Sequence, residues 1–448
     1  MENYKSFFKN KKITVMGLGL LGRGIGDVAF LAECGARLTV TDLKTKEQLK
    51  ESLKKLKKFK NIKYVLGGHR VEDFKNKDMI LKSAGVSLDS VYIKEAVENK
   101  IPVEMSATLF AKMSGIPMIA VTGTRGKSTV THMIEHILKS ARKKARPIER
   151  SFGRVILGGN VRGVSNLQLL KQVKKDSIGV FELDSWQLQG FGDSKISPHI
   201  SVFTTFFADH MKYYENDMKK YFSDKANIFK YQKRDDILVV GSQALPFIKK
   251  WGGKFSSKVI TPKENLPEGF VLNIPGEHNI YNANLALEVA RNIGIKDSEI
   301  KKALANFKSV GGRLELVRNF KGVKYYNDTT ATTPEASTAA IHSLCEDHNI
   351  ILIAGGSDKG LDMSGVVKEM NRCCKGIFLL SGTGTEKIKL KLKNAIEVDS
   401  MKKAVILARK VAMKGDVVLL SPAFASFGMF KNEYDRGDQY VKIVKSLK

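Results

Sequence analysis

The stretch that most constrains this chain is Ile119-Ala120-Val121-Thr122-Gly123-Thr124-Arg125-Gly126-Lys127-Ser128-Thr129-Val130. An apolar run over 117–121 breaks into glycines, and a Lys-Ser-Thr triplet opens an amphipathic segment over 130–138. That order predicts strand, phosphate-cradling loop and helix. Two glycines let backbone N–H groups converge on phosphate oxygens, and the helix N-terminus favours negative charge. Lys127 then reaches the terminal phosphates, and the Ser128 hydroxyl is offered to Mg²⁺. Val121 stands where a full Walker A motif has its first glycine, and a Gly-Lys-Ser turn alone is often only a helix start. The rest of the chain decides between the two.

At 448 residues the chain has room for roughly two to four domains. No run approaches the ~18 consecutive apolar residues of a membrane span, and the lysine-rich 1–12 segment has no apolar core behind it, so no secretory signal is expected. Cys34, Cys345, Cys373 and Cys374 lack metal-ligand spacing, and the plain reading is reduced thiols in a cytoplasmic protein. The net charge of +29 invites a nucleic-acid reading. Only 16 of the 75 basic residues are arginine, however, and the lysines are spread over the whole chain. Arginine is the residue suited to bidentate phosphate and base recognition, so solvated lysine faces explain the charge more simply.

Taken in order, an apolar strand over 12–16 leads into Gly17-Leu18-Gly19-Leu20-Leu21-Gly22, and a second strand over 38–41 ends in Asp42. This is G-x-G-x-x-G with an acid about 20 positions on, which suits any ligand carrying a pyrophosphate and a ribose or base. A strand over 79–82 breaks at Ser83-Ala84-Gly85, and further helices and a strand complete a doubly wound first domain, 1–114. The second domain, 115–310, opens with the phosphate loop. Its basic stretch over 139–146 reads as an extended solvated loop, and Leu157-Gly158-Gly159-Asn160 as a turn. A strand over 177–181 delivers Glu182, either a Mg²⁺ contact or a helix N-cap acid. A strand over 199–205 runs on to Asp209-His210, and His210 is a metal candidate. A helix over 221–231 carries Lys225, on these grounds one lysine among many. Asn279 and Asn282 sit three apart at the start of a helix over 283–293, where they cap it or hold a base. In the third domain, 311–448, strands run into Asn327-Asp328-Thr329-Thr330-Ala331-Thr332, into Ala354-Gly355-Gly356, and into Ser421-Pro422-Ala423-Phe424-Ala425-Ser426. The expected architecture is α/β with three domains: Rossmann-like, central P-loop-type with a mostly parallel sheet, and Rossmann-like again.

These motifs together resemble the Mur ligases, the ATP-dependent amide-forming enzymes of bacterial peptidoglycan precursor synthesis. The carriers run from the Gly17–Gly22 loop and Thr122-Gly123-Thr124-Arg125-Gly126-Lys127-Ser128-Thr129 through Gly158-Gly159-Asn160, Glu182-Leu183-x-Ser185-x-Gln187-Leu188 and Asp209-His210-Met211. They continue with Lys225, Gly276-x-His278-Asn279-x-x-Asn282, Arg313-x-Glu315, the Asn327–Thr332 turn, Lys359, the 420–426 run and Arg436-Gly437. The C-terminal motifs point to the glutamate-adding branch.

The resemblance implies that UDP-N-acetylmuramoyl-L-alanine and D-glutamate are the partners. The UDP end falls to Gly17, Leu18, Gly19, Leu20, Leu21, Gly22, Asp42, Ser83 and Gly85, with Asn160 and Gln187. ATP falls to Gly123, Thr124, Arg125, Gly126, Lys127, Ser128 and Thr129, with Asn279, Arg313 and Asp328. One Mg²⁺ is expected on Ser128 and Glu182, and a second on His210 and a carbamylated Lys225. Thr332, Lys359 and Ser426 match the positions that receive D-glutamate. Lys127, His210, Lys225 and Lys359 match the catalytic positions. A cytoplasmic monomer with no nucleic-acid partner and no membrane span is expected.

The chain departs from the family pattern at Arg125 (usually Asn), Asp184 (Ser), Gly312 (His), Phe424 (Cys) and Gly428 (Asp). None removes a metal or phosphate ligand, but several lie near the incoming amino acid, so a related ligase with another amino acid such as L-glutamate is the alternative. An NAD-dependent oxidoreductase, from another class, rests only on the 17–22 loop and Asp42, and gives Lys127, Glu182 and His210 no role.

Overall fold

The computed structural model describes residues 4–20, 22–144 and 152–448. The first sheet contains β1 (Lys12–Met16), β2 (Arg37–Asp42), β3 (Ile62–Leu66), β4 (Met79–Lys82) and β5 (Val103–Glu104). They are parallel, in the order β3-β2-β1-β4-β5. The second contains β6 (Met118–Thr122), β7 (Arg154–Gly159), β8 (Ser177–Glu182), β9 (Ile200–Phe203), β10 (Ile237–Val240) and β11 (Lys258–Ile260). These too are parallel, in the order β11-β10-β9-β6-β8-β7. The third contains β12 (Glu315–Phe320), β13 (Val323–Asn327), β14 (Ile350–Gly355), β15 (Cys374–Leu380), β16 (Ala395–Val398) and β17 (Val417–Leu420). Its order is β12-β13-β17-β14-β15-β16, and only β12 runs antiparallel.

The chain divides into two compact units. Met1–Glu264 with Asn284–Ile300 carries the first two sheets, and Asn265–Ala283 with Lys301–Lys448 carries the third. Central strands such as β6, β8 and β14 are buried along their whole length, as expected of parallel strands covered on both faces. In the first unit one apolar core runs from the first sheet into the second. Phe110, on the helix Ser106–Ser114, stacks on Phe181 of β8 with ring centroids 4.7 Å apart. In every sheet the Gly/Ser/Thr-rich turns follow the C-terminal ends of the strands, where open α/β sheets bind ligands.

Four local expectations are corrected. The helix after the phosphate loop runs Lys127–Lys144, so most of the basic stretch is helical rather than looped; Ala145 and Arg146 lie outside the described residues. Gly158 and Gly159 belong to β7 rather than to a turn. The helix carrying Lys225 is Met218–Ala226, started by Asp217, whose carboxylate accepts from the Lys219 and Lys220 N–H groups. Cys345 and Cys373 are joined as a disulfide, Cα atoms 5.8 Å apart, because the helices Pro334–Leu344 and Ser364–Cys373 pack side by side. Cys34 and Cys374 are free and buried.

Candidate active site

The phosphate loop is shaped by the strand beside it. β6 pairs with β9 on one side and β8 on the other, so residues following β9 reach the loop. The Thr124 N–H donates to the Thr205 carbonyl at 2.7 Å, and the Arg125 N–H to Thr205 Oγ1 at 2.9 Å. Thr204 Oγ1 donates to the carbonyls of Thr122 (3.1 Å) and Arg125 (2.5 Å). Gly123 has φ +140°, and a Cβ there would collide with Thr204 Oγ1. The loop therefore needs glycine at this position for space as well as for conformation.

Two ammonium groups converge on the Gly123 carbonyl: Lys127 Nζ donates to it at 3.0 Å and Lys225 Nζ at 2.9 Å. Lys127 also donates to the Thr124 carbonyl at 3.1 Å. Lys225 is 1 % exposed. Burial first, and the neighbouring Lys127 second, hold its amine well below the usual lysine range. Opposite them, Ser128 Oγ donates to Glu182 Oε2 at 2.6 Å, both residues buried. Glu182 closes β8 and does not cap the next helix. That cap is Asp184, whose Oδ1 accepts from the Gln187 N–H at 2.8 Å while Gln187 Oε1 accepts from the Asp184 N–H at 3.3 Å.

His210 sits on left-handed backbone, φ +55°, an uncommon conformation for a non-glycine residue. Its N–H donates to Asp209 Oδ1 at 3.0 Å, and its ring lies 4.6 Å from Trp186 and 6.5 Å from Tyr221. Its side chain is 42% exposed, and partial desolvation shifts the imidazole below its ordinary range, towards the form that can ligate. Arg125 pairs with Asp209 at 3.0 Å. Burial disfavours the Asp209 charge, but His210, Arg125 and Lys127 outweigh it and hold the carboxyl below the usual range. Among the described residues no group of three or more His, Cys, Asp or Glu side chains is placed to hold a metal ion alone. The Ser128–Glu182 pair does supply hard oxygen donors of the kind Mg²⁺ uses together with phosphate oxygens.

Elsewhere in the first unit, Gly17, Gly19 and Gly22 all have positive φ, and a Cβ on Gly17 would collide with Ser83 Oγ, so these two predicted positions are neighbours. Leu20 is exposed, nothing approaches Gly85, and Leu21 lies outside the described residues. Asp42 is buried. Its Oδ2 accepts from the Leu18 and Gly19 N–H groups at 2.9 and 3.0 Å, and its Oδ1 from Lys44 N–H at 2.9 Å. Asn160 donates its N–H to the Glu182 carbonyl at 2.7 Å and accepts from the Arg23 guanidinium.

In the second unit Asp328 follows β13. Its carboxylate accepts from the Leu314 N–H at 3.1 Å and from Ser421 Oγ at 3.0 Å. Burial nevertheless pushes it up to about 7. Arg313 acts electrostatically on Asp328. Asn279 is buried, its amide donating to the Pro275 carbonyl at 2.6 Å. Lys359 Nζ donates to Thr332 Oγ1 at 2.9 Å, which brings two of the predicted amino-acid-binding residues together. The loop before Lys359 is tied to the 421–426 loop by a bridge between Ser357 and Ala425, next to Ser426. Arg436, fully buried, donates to Thr329 Oγ1 and O and to the Phe424 carbonyl at 2.9–3.2 Å.

Sequence reasoning passed over Thr204, Thr205 and Tyr221, whose hydroxyl lies 3.4 Å from Thr124 Oγ1. The usable signal was two threonines at the end of an apolar strand, beside a strand ending in a phosphate loop.

Comparison with known proteins agrees over the whole length. Residues 11–104 match the MurD-like N-terminal domain of Mur ligases, 121–268 the Mur ligase middle domain, and 312–424 the Mur ligase glutamate ligase domain. The first of these matches leaves the nicotinamide reading of the 17–22 loop without support. The chain is 33% identical to the UDP-N-acetylmuramoylalanine–D-glutamate ligase of Roseiflexus sp. (strain RS-1), covering 98% of this chain and 99% of that protein. It is 36% identical to the same-named ligase of Borreliella afzelii, covering 98% of each. In fold it is similar to the UDP-N-acetylmuramate–alanine ligase of Thermotoga maritima (TM-score 0.62, 19% identity, 98% of this chain and 100% of that one). It is also similar to the MurF ligase of Thermotoga maritima in complex with ADP (TM-score 0.58, 17% identity, 98% and 95%).

Proposed function

The chain belongs to the Mur ligase family, and from that premise we propose that it joins D-glutamate to UDP-N-acetylmuramoyl-L-alanine with cleavage of ATP to ADP and phosphate. The observation that carries this reading is the set of groups gathered around the 123–128 turn: two lysines on one carbonyl, a Ser–Glu pair and the nearby His210. In the first step the alanine carboxylate oxygen bonds to the γ-phosphorus, and the γ-phosphorus–oxygen bond to ADP breaks. The D-glutamate amine then attacks the acyl carbon, and phosphate leaves from the tetrahedral intermediate.

The first step brings two anions together, so cations must face them. Backbone N–H groups at the start of the helix Lys127–Lys144 would cradle the phosphates, the Thr124 and Arg125 N–H groups being engaged by Thr205, and Lys127 turns from the Gly123 and Thr124 carbonyls towards the γ-phosphate. Ser128 and Glu182 would hold one Mg²⁺, and His210 and Lys225 a second; bound there, Mg²⁺ neutralises phosphate and carboxylate charge. Lys225 serves as a ligand once its amine has added CO₂, with an N–C bond formed and a proton released, and that addition needs the neutral amine that burial and Lys127 favour. In the second unit, Asn279, Arg313 and Asp328 would be nucleotide contacts, as the family resemblance implies. Thr332, Lys359 and Ser426 receive the carboxylates of D-glutamate.

Hydroxylamine trapping tests this reading. With ATP, Mg²⁺ and UDP-N-acetylmuramoyl-L-alanine but no D-glutamate, the protein should yield the alanine hydroxamate. CO₂-free buffer should lower that yield and bicarbonate restore it. No hydroxamate under turnover conditions would overturn the acyl phosphate, and indifference to CO₂ would overturn the carbamate.

A further inference from the structure

β4 ends in a buried lysine to which the reaction above gives no task. Lys82 is 2 % exposed, and among the described residues its Nζ makes one hydrogen bond, donating to the Val86 carbonyl at 2.9 Å. Asp184, Asp193 and Asp224 act on it electrostatically, yet none forms an ion pair with it. An ammonium carries three N–H donors, and leaving two of them unmatched in a buried setting is costly. A group that completes them is to be sought in what binds there.

Position says which part of a ligand that is. Lys82 directly precedes Ser83, the neighbour of Gly17, at the C-terminal edge of the first sheet where β1 and β4 adjoin. Asp184, which acts on Lys82, also acts on Lys225 and His210. Lys82 thus adjoins the glycine-loop end and lies within the electrostatic reach of the same Asp184 that acts on Lys225 and His210, in one compact unit. A substrate with its pyrophosphate at the first and its reacting carboxylate at the second must lay its sugar-lactyl portion across this place.

Resting on the function proposed above, we propose that Lys82 is a substrate-positioning residue whose ammonium donates to oxygen acceptors on the muramoyl-alanine arm. It touches neither ATP nor the uridine end.

Calorimetric titration of the full-length protein tests this, with UDP-N-acetylmuramoyl-L-alanine and UDP as separate ligands, on wild type, Lys82→Met and Lys82→Arg. A charge-assisted hydrogen bond lost from a buried site should weaken the muramoyl ligand about 10- to 100-fold in Lys82→Met and leave UDP within about twofold. Lys82→Arg should recover part of the loss. The melting temperature of Lys82→Met should hold or rise, because a partly unmatched buried charge has been removed. Unchanged affinity for the muramoyl ligand, with or without a lower melting temperature, would overturn the inference and leave Lys82 a structural residue. Equal weakening towards UDP would overturn it too. Wild-type protein that binds UDP but not the muramoyl ligand would overturn the functional reading, and this inference with it.

Discussion

Lys127 and Lys225 share one acceptor, the Gly123 carbonyl, and that sharing gives two lysines of one chain different chemistry. Burial and Lys127 hold the Lys225 amine well below the usual lysine range, whereas Lys127 stands at the loop itself, donating to the Gly123 and Thr124 carbonyls. Nothing in the sequence around Lys225 separates it from the other lysines, because burial and a neighbour from a distant segment are what distinguish it. Asp42 shows the opposite. Its place at the end of β2 was legible from the glycine loop, whereas its three backbone N–H partners were not. Asp27 carries a prediction of its own. Its Oδ1 accepts from Ser165 Oγ at 2.6 Å and from the Leu167 N–H at 3.2 Å, joining the helix Arg23–Glu33 to the start of the helix Asn166–Leu169. Burial outweighs these bonds and raises Asp27 from 3.8 to about 6. Between those values the fold holds a proton that the unfolded chain releases, so Asp27 makes stability fall as pH rises through that window. Asp27→Asn keeps an oxygen for both donors and removes the titration. Its stability relative to wild type should therefore rise by on the order of 3 kcal/mol between pH 4 and pH 7. Thermal unfolding curves that stay parallel across that range would contradict this.

At the scale of elements, the strand–loop–helix order around residues 118–144 was legible because apolar run, glycines and amphipathic period follow one another. Gly158-Gly159 misled the reading, since paired glycines usually mark a turn. Here they are strand residues chosen for space. A Cβ on Gly158 would lie 2.5 Å from Phe181 Cζ and 2.8 Å from Leu169 Cδ1, and one on Gly159 would collide with the Glu182 carbonyl. The bulk of Phe181, which stacks on Phe110, is what demands glycine in the neighbouring strand. Gly158→Ala should thus destabilise the protein by about 1–3 kcal/mol through overpacking, read as a lower denaturant midpoint. A midpoint equal to that of wild type would contradict the packing account. Strands β10, β11, β15 and β16 lead into none of the motifs singled out above, so the sequence marks them weakly. β12 was missed because its half-exposed burial pattern is that of a charged edge strand.

Over the whole molecule, three sheets present their motif-bearing turns at strand C-termini, and the candidate residues on those turns were legible from them, whereas Lys225, on a helix, was not. What holds each turn in place within its unit was not legible either. Thr204 reaches the loop of β6 because β9 is its neighbour in the sheet, and Arg436 braces the Thr329 and Phe424 backbone from a helix over a hundred positions beyond Thr329. The disulfide between Cys345 and Cys373 likewise depends on two helices packing, which spacing alone did not reveal. Among the described residues no helix is long and apolar enough to cross a membrane. The basic residues behind the net charge of +29 are mostly lysine. Phosphate release from ATP, with mass detection of the product, tests the central claim most directly. The reaction holds protein, Mg²⁺ and UDP-N-acetylmuramoyl-L-alanine, with D-glutamate, L-glutamate, L-alanine, L-lysine or meso-diaminopimelate added singly. Release and a mass gain with D-glutamate alone are predicted. Turnover with another amino acid in its place, or with none of them, would contradict the account.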